Sequence, residues 1–228
     1  MHSALWVSKT GLNAQDHNLT TISNNLANVS TTGFKKDRAV FEDLIYQIQR
    51  QPGALSSQDT RLPSGLQLGT GVKVAGSQKI HTTGSLQETS QPLDLAINGR
   101  GFFQIGMPDG TIAYTRDGGF KLSQEGELVT PSGLLLQPQI LVPAEAASIT
   151  IGTDGIVSAE LANGGGNQQL GQIQIARFIN GAGLEAMGQN LFRETTASGA
   201  PLILVPGEQG AGEIAQGMLE ASNVNVVE

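Results

Sequence analysis

Leucines recur every seven residues near the start of the chain, and polar side chains fill most of the positions between them. The repeat and its adjoining row comprise six apolar residues: Leu5, Leu12, Leu19, Ile22, Leu26 and Val29. One leucine per two turns marks a single helix face, so the pattern predicts an amphipathic helix over residues 1–33. A face this narrow is typical of a coiled-coil seam, and an isolated helix of this length requires a packing partner. That partner is either the chain's own domain or a neighbouring subunit.

Residues 34–80 interrupt the helical pattern and are predicted to be a linker. Within them, residues 34–48 fit a short helix or the start of a strand, and the pattern leaves both open. Turn formers at Pro52-Gly53 and Pro63-Ser64-Gly65 mark residues 49–72. This stretch is too long and too rich in breakers for a simple connection within a domain. It is therefore either a plain linker or an extended arm that becomes ordered against a neighbouring subunit.

Short strands separated by turn residues dominate the chain from Val72 to about Val205. The dipeptides Asn98-Gly99 and Asp109-Gly110 are strong hairpin signals between apolar or alternating stretches. Regular strands with such turns predict an antiparallel domain, barrel-like or a sandwich, over residues 81–214. The fold class expected is therefore α+β, with an N-terminal amphipathic helix and a turn-rich antiparallel β-domain.

Composition narrows the possible partners. The chain has 13 basic and 20 acidic residues, and residues 100–228 hold 5 of the basic and 13 of the acidic ones. This acidic half argues against a nucleic-acid partner. The chain has no cysteine, and no uninterrupted apolar run approaches the ~18 residues of a membrane helix, so no membrane insertion is expected. The N-terminus shows no pattern of a cleaved signal peptide.

No chemical motif predicts an enzyme. Gly99-Arg100-Gly101 lacks the third glycine and the following helix of a dinucleotide site. His2, His17 and His81 show no metal-ligand spacing and are expected at the surface. No serine lies in a nucleophile elbow. We therefore predict no catalytic, cofactor or metal site. Arg116-Asp117 is expected to form a local ion pair at a turn.

The end of the helical pattern carries a more specific signal. The stretch Asn24-Asn25-Leu26-Ala27-Asn28-Val29-Ser30-Thr31-Thr32-Gly33-Phe34-Lys35 resembles the N-terminal signature of the bacterial flagellar axial proteins of rod and hook. Residues 94–103, 114–120 and 126–130 resemble further blocks of the same family. The insertion at 49–72 resembles one that marks the distal rod members and is missing from typical hook proteins.

The resemblance implies a structural subunit of the flagellar distal rod, which polymerises into a hollow helical shaft and transmits torque to the hook. It implies export through the flagellar type III apparatus without a cleaved signal peptide, and a place in the basal body across the periplasm. The implied partners are further copies of the chain, proximal rod and hook proteins, and the peptidoglycan-ring and outer-membrane-ring proteins. The alternatives are a hook or proximal rod subunit, and a β-domain binding protein with an N-terminal oligomerisation helix.

The resemblance also places the contacts between subunits. Family members have a C-terminal helix that packs beside the N-terminal one, and residues 215–228 are expected to begin it. The sequence ends where that helix should start, so either the chain is truncated or the helix is missing. The expected assembly interface comprises residues of the helical face, its exit and the arm: Leu5, Leu12, Leu19, Ile22, Asn25, Leu26, Asn28, Val29, Gly33, Phe34, Leu62, Leu66 and Leu68.

Overall fold

The computed structural model describes residues 3–53, 63–162 and 166–225. The chain divides into two compact units, each made of two segments. Unit 1 comprises Met1–Asn25 and Asp37–Gln78, and unit 2 comprises Leu26–Lys36 and Lys79–Glu228. The α+β fold class is confirmed, with one N-terminal helix and predominantly antiparallel strands among the described residues.

Unit 1 contains most of the helix and a long bent hairpin. Its elements are α1 (Ser3–Ala27, which runs into unit 2), β1 (Asp37–Asp43), β2 (Tyr46–Arg50), β3 (Leu66–Gly69) and β4 (Val72–Lys79). β1 pairs with β4, and β2 pairs antiparallel with β3. These strands resolve residues 34–48 in favour of strand, and most of the described residues within 34–80 lie in paired strands.

Unit 2 contains the remaining strands, connected by tight turns. They are β5 (Leu86–Glu88), β6 (Leu95–Asn98), β7 (Phe103–Gly106), β8 (Ile112–Thr115), β9 (Lys121–Leu122), β10 (Leu128–Val129), β11 (Leu135–Gln137), β12 (Ala146–Ile151), β13 (Ile156–Leu161), β14 (Asn167–Gln172), β15 (Ile175–Arg177), β16 (Glu185–Gly188), β17 (Leu191–Arg193), β18 (Leu202–Leu204), β19 (Glu213–Gln216) and β20 (Met218–Glu220). A short 3₁₀ turn, Gly181–Gly183, precedes β16.

The largest sheet has seven strands in the order β16-β17-β8-β7-β11-β10-β9, and it is open at both edges. A three-stranded sheet, β12-β13-β14, and the pairs β15-β18, β19-β6 and β20-β5 complete unit 2. The core between them is aliphatic with two phenylalanines, and its most buried members include Leu95, Ile97, Phe103, Ile105, Phe120, Leu136, Val157, Ile173, Ile175 and Ile214.

Two predicted turns have different outcomes. Asp109-Gly110 closes the β7–β8 hairpin as expected, and the Asp109 carboxylate accepts hydrogen bonds from the Thr111 backbone and hydroxyl. Asn98-Gly99 joins β6 to β7, but these strands do not pair, because β6 pairs with β19 and β7 with β8 and β11. The hairpin expected there is therefore wrong: the turn passes the chain from one sheet to another.

The expectation of a helical start at residues 215–228 is also wrong for the described residues. β19 and β20 occupy residues 213–220, pairing with β6 and β5. Long-range hydrogen bonds to these strands, which a local pattern does not reveal, fix this segment as sheet.

Candidate assembly surface and a buried ionic junction

The apolar face of α1 points away from its own unit. Leu5, Leu12, Leu19 and Leu26 are 67%, 71%, 62% and 53% exposed, and Ile22 is 51% exposed. Five large aliphatic side chains on one side of a helix form an apolar surface of the kind that marks an interaction site. The chain's own fold thus leaves this face uncovered. The sequence allowed the leucines to pack either on the chain's own domain or on a neighbouring subunit. Within the described residues, they do not pack on the chain's own domain.

The helix instead packs on unit 1 through small and polar residues. The positions of α1 with reduced exposure in unit 1 are Thr10, Gly11, Ala14, Asn18, Thr21 and Asn25. Their spacing of three and four residues defines the face of the helix that lies away from the leucines. Thr10 accepts a hydrogen bond from the Val72 backbone, and a side chain at Gly71 would collide with the Thr10 hydroxyl.

The exit of the helix has an internal role that the sequence did not reveal. Asn25 forms two hydrogen bonds with the Asp37 backbone, one as donor (2.8 Å) and one as acceptor (2.9 Å). Gly33 and Phe34 are buried within unit 2. The chain's own fold therefore already covers Gly33 and Phe34, and their expected place in the assembly interface stays a prediction. Asn28 accepts a hydrogen bond from the Thr31 hydroxyl, and Val29 is half-buried.

The leucines of the arm lie on the hairpin. Leu66 and Leu68 are on β3, and every residue of β2 and β3 is exposed. Ile45 and Ile48 add further exposed aliphatic surface to the same hairpin. An exposed two-stranded ribbon with apolar side chains lacks the packing that ordinarily stabilises one. Leu62, also expected in the interface, lies outside the described residues.

A groove of about 560 Å³ runs between α1 and the hairpin in unit 1. Trp6 and Val7 line it from the helix, and Leu68 lines it from β3. The groove places apolar side chains of the helix and of the hairpin side by side, on a part of the helix other than its leucine face. We refer to the exposed face of α1 together with Leu66 and Leu68 as the assembly surface.

A buried ionic junction holds unit 2 together where the N-terminal segment meets the C-terminal one. Lys35 Nζ lies 2.6 Å from Glu220 Oε1, and Arg116 Nη1 lies 3.3 Å from Glu220 Oε2. All three residues are at most 2% exposed. The sequence predicted an ion pair between Arg116 and Asp117, but Arg116 pairs with Glu220 instead. It turns inward because the Glu220 carboxylate and the Ile97 carbonyl both accept its hydrogen bonds.

Further hydrogen bonds surround the lysine and the carboxylate of the junction. Lys35 Nζ also donates to the Thr82 carbonyl at 2.7 Å, and the Gly84 N–H donates to Glu220 Oε1 at 2.8 Å. Burial lowers the pKa of Lys35 from its ordinary value, and the neighbouring Glu220 carboxylate opposes that shift. Burial likewise lowers the pKa of Arg116. Two cations share one carboxylate, so the junction carries a net positive charge when all three groups are ionised.

Backbone contacts join the same three segments. Gly33 has φ of +67° and donates its N–H to the Glu220 carbonyl at 2.8 Å. A Cβ at this position would lie 2.6 Å from the Asp117 nitrogen, so a glycine is required on two grounds. Asn223 accepts from the Lys36 N–H and donates to the Ile80 carbonyl. The C-terminal segment is thus an integral part of unit 2.

His81 lies beside this junction rather than at the surface, contrary to expectation. Its ring makes edge contacts with Phe102 and Phe192, each at 5.4 Å between ring centroids. Neither buried ring nitrogen has a hydrogen-bond partner among the described residues, although the Gly181 backbone lies beside the ring. The aromatic residues around His81 belong to a second core cluster, which the spacing of apolar residues in the sequence does not predict.

Comparison with known proteins shows which protein family has these features. Residues 5–35 match the family model described as flagella basal body rod protein, and residues 96–159 match the flagellar hook protein FlgE/F/G D1 domain. The flagellar basal-body rod protein FlgG of Buchnera aphidicola (strain APS) is 53% identical over 228 residues, covering all of this chain and 88% of the relative. FlgG of Borreliella burgdorferi is 50% identical, covering all of this chain and 87% of the relative.

The chain belongs to the FlgG family of flagellar basal-body rod proteins. A flagellar basal-body rod protein FlgF, from Caulobacter vibrioides, is 34% identical over 231 residues and covers 84% of that relative. The lower identity to FlgF distinguishes the two kinds of rod protein. The sequence resemblance implied a structural role in the flagellar basal body, and membership of this family confirms that role.

The two family segments coincide with the features described above. The rod-protein segment, residues 5–35, contains the leucine face and ends at Lys35, the lysine of the ionic junction. The D1 segment, residues 96–159, contains Arg116 and the strands β7 and β8 of the largest sheet. The two matched segments therefore contain both the apolar face and two of the three charged residues of the ionic junction.

Other kinds of site are not apparent in the part of the chain that the structure describes. It contains no group of three or more histidine, cysteine, aspartate or glutamate side chains arranged to hold a metal ion. Among the same residues, no helix combines the length and the apolar character that crossing a membrane requires.

His81 predicts a specific acid sensitivity. Burial, aided by the nearby cations Lys35, Arg116 and Lys79, lowers the pKa of His81 to about 4, against 6.5 in the unfolded chain. Since the unfolded state takes up the proton first, stability falls as the pH drops from about 6.5 to about 4. We expect His81→Phe, which fits an aromatic environment, to reduce that fall.

The measurement is the free energy of unfolding in urea at pH 7 and pH 4.5, compared between wild type and variant. Carboxylates titrate in the same range, so only the difference between the proteins is informative. His17→Gln, at an exposed position of α1, is the matched control and should keep the wild-type pH dependence. Equal pH dependence in wild type and His81→Phe would contradict the assignment.

Proposed function

We propose that the chain is a structural subunit of the flagellar distal rod and that its copies polymerise through the assembly surface into a hollow helical drive shaft. The observation that carries the proposal is the exposed leucine face of α1 in a member of the FlgG family. A helix with one uncovered apolar face requires a partner, and further copies of the same chain supply one. A heterologous contact repeated with a non-closing rotation gives a helical filament.

The ionic junction supports transmission of force within this proposal. In unit 2, the exit of α1 is joined to the sheets by a buried ion pair and by the Gly33 and Asn223 hydrogen bonds. A load on the end of the helix therefore reaches a packed core and not a flexible tether. Transmission of torque from motor to hook is the corresponding role in the rod.

The same proposal includes the neighbours of a distal rod. These are the proximal rod and hook proteins at its ends, the peptidoglycan-ring and outer-membrane-ring proteins around it in the periplasm, and the export apparatus that delivers it. The greater identity to FlgG than to FlgF favours a distal over a proximal rod subunit. The relatives are named as rod proteins, which favours a structural role over a binding or catalytic one.

The arm is the feature that distinguishes the distal rod in this proposal, so its leucines provide the test. Leu66 and Leu68 should contact a neighbouring subunit, each contributing about 1.5–3 kcal/mol when fully buried. We expect the double variant Leu66→Asp/Leu68→Asp to shorten the rods or increase their curvature. Both side chains are already exposed in the single chain, so folding should be unaffected.

The measurement is electron microscopy of basal bodies from a bacterium in which this chain replaces the resident rod protein. Gln67→Asp introduces a charge on the other side of the same strand and is the matched control, since Gln67 is also exposed. Straight rods of wild-type length in the double variant would show that the arm makes no contact between subunits.

A further inference from the structure

A pocket of about 280 Å³ in unit 2 gathers positive charge on an otherwise acidic part of the chain. Arg100 reaches it from the turn between β6 and β7, Arg116 from the end of β8, and Arg177 from the end of β15. Residues 100–228 contain 5 basic and 13 acidic residues. Three of the five basic residues therefore line one pocket, although they are far apart in sequence.

Some N–H groups of these three arginines donate no hydrogen bond to another described residue. Arg116 Nε is buried and has no partner among the described residues. Arg177 donates one N–H to the Gln209 carbonyl, and within the described ranges neither Arg177 nor Arg100 forms a salt bridge. Glu220, which pairs with Arg116, is itself paired with Lys35, so the charge of Arg116 is not fully neutralised by that carboxylate. The pocket is consequently built to attract an anion.

The walls of the pocket indicate which anion. Guanidinium groups match a carboxylate geometrically, with two N–H donors for its two oxygens. Phe102 and Phe178 supply aromatic surface that suits the methylene stem of a side chain. Ile179 at the rim is 86% exposed and adds an apolar side chain to the mouth of the pocket. The features together fit an acidic side chain carried on a partner with nearby apolar residues.

We propose that this pocket binds a glutamate or aspartate side chain of a second copy of the chain, a contact between β-rich units that rests on the proposed assembly. Charge complementarity favours this occupant, because the same region exposes acidic side chains such as Glu125, Glu160, Glu208 and Glu213. A heterologous contact places the pocket of one copy against a different patch of the next. The contact is separate from the leucine face and would fix the outer units relative to one another.

The test uses the full chain and two readouts. The variant Arg100→Gln/Arg177→Gln removes two charges from the pocket, and Lys121→Gln/Arg193→Gln removes the other two charges of the same region. Self-association by sedimentation equilibrium should weaken by at least about tenfold in the pocket variant, since charge pairs at interfaces contribute this much. The control should change the association constant by less than about twofold, since exposed charges contribute little.

The second readout is the His81 imidazole signal in NMR during titration with N-acetyl-glutamate amide. It should shift in wild type and in the control, but not in the pocket variant, and the neutral glutamine analogue should leave it unchanged. No shift in wild type would overturn a carboxylate pocket. A shift accompanied by equal self-association of both variants would overturn the second copy as its occupant while leaving the proposed function intact. Wild-type chain that does not self-associate would contradict the proposed function as well, with the NMR signal still reporting on the pocket.

Discussion

Leu12→Asp, or Leu19→Asp, is expected to abolish rod assembly while leaving unit 2 folded. Both leucines are more than 60% exposed in the single chain, so an aspartate there remains solvated and costs the monomer little. In a packed seam the same carboxylate would be buried without a partner, at a cost of several kcal/mol for each copy of the chain. Since every subunit in a polymer carries the change, the penalty repeats at each contact.

Asn13→Asp is the matched control, because Asn13 is exposed, adjacent in sequence and about 100° around the helix from Leu12. Assembly is measured by electron microscopy of basal bodies, and folding by circular dichroism of the purified chain. Rods formed by Leu12→Asp would contradict the role of the leucine face. Loss of the β signal in that variant would instead show that the helix belongs to the core.

Glu220→Gln is expected to destabilise unit 2 by about 3–5 kcal/mol, the cost of leaving buried charges without their partner. Lys35 and Arg116 would lose their shared carboxylate while remaining almost fully buried. A loss of this size is a large fraction of the ~5–15 kcal/mol by which domains are ordinarily stable. Urea denaturation followed by circular dichroism measures it directly.

Two further variants separate the buried charge from other effects. Glu185→Gln breaks the exposed Arg193–Glu185 salt bridge and should cost less than about 1 kcal/mol. Adding Lys35→Met to Glu220→Gln removes one of the two stranded cations, so the double variant should be more stable than the sum of the single changes. A Glu220→Gln protein as stable as wild type would show that the junction contributes nothing to the fold.

Features encoded over a few residues could be predicted from the sequence. The helix follows from the leucine repeat, since periodicity within one helix is a local property. The Asp109-Gly110 hairpin follows from its turn residues, and the structure pairs β7 with β8 there. The exposure of the leucine face is consistent with the predicted seam, although the contact that would cover it involves other molecules.

Features that depend on distant residues could not be predicted. Lys35 and Glu220 are 185 positions apart, and neither lies in a sequence pattern that predicts a buried ion pair. The C-terminal strands pair with β5 and β6, so their conformation is decided by partners more than 100 residues away. His81 resembled a surface residue because its neighbours in sequence are mostly polar, whereas the rings that contact it, Phe102 and Phe192, come from other parts of the chain.

Assembly should cover the leucine face, and the reactivity of an introduced thiol tests this most directly. The chain has no cysteine, so Leu12→Cys and Asn13→Cys each introduce a single thiol. The measurement is the rate of maleimide labelling in the monomer and in isolated rods. We predict rapid labelling of both thiols in the monomer, and in rods a much stronger protection of the thiol at position 12 than of the thiol at position 13. Equal labelling of position 12 in monomer and rods would contradict it.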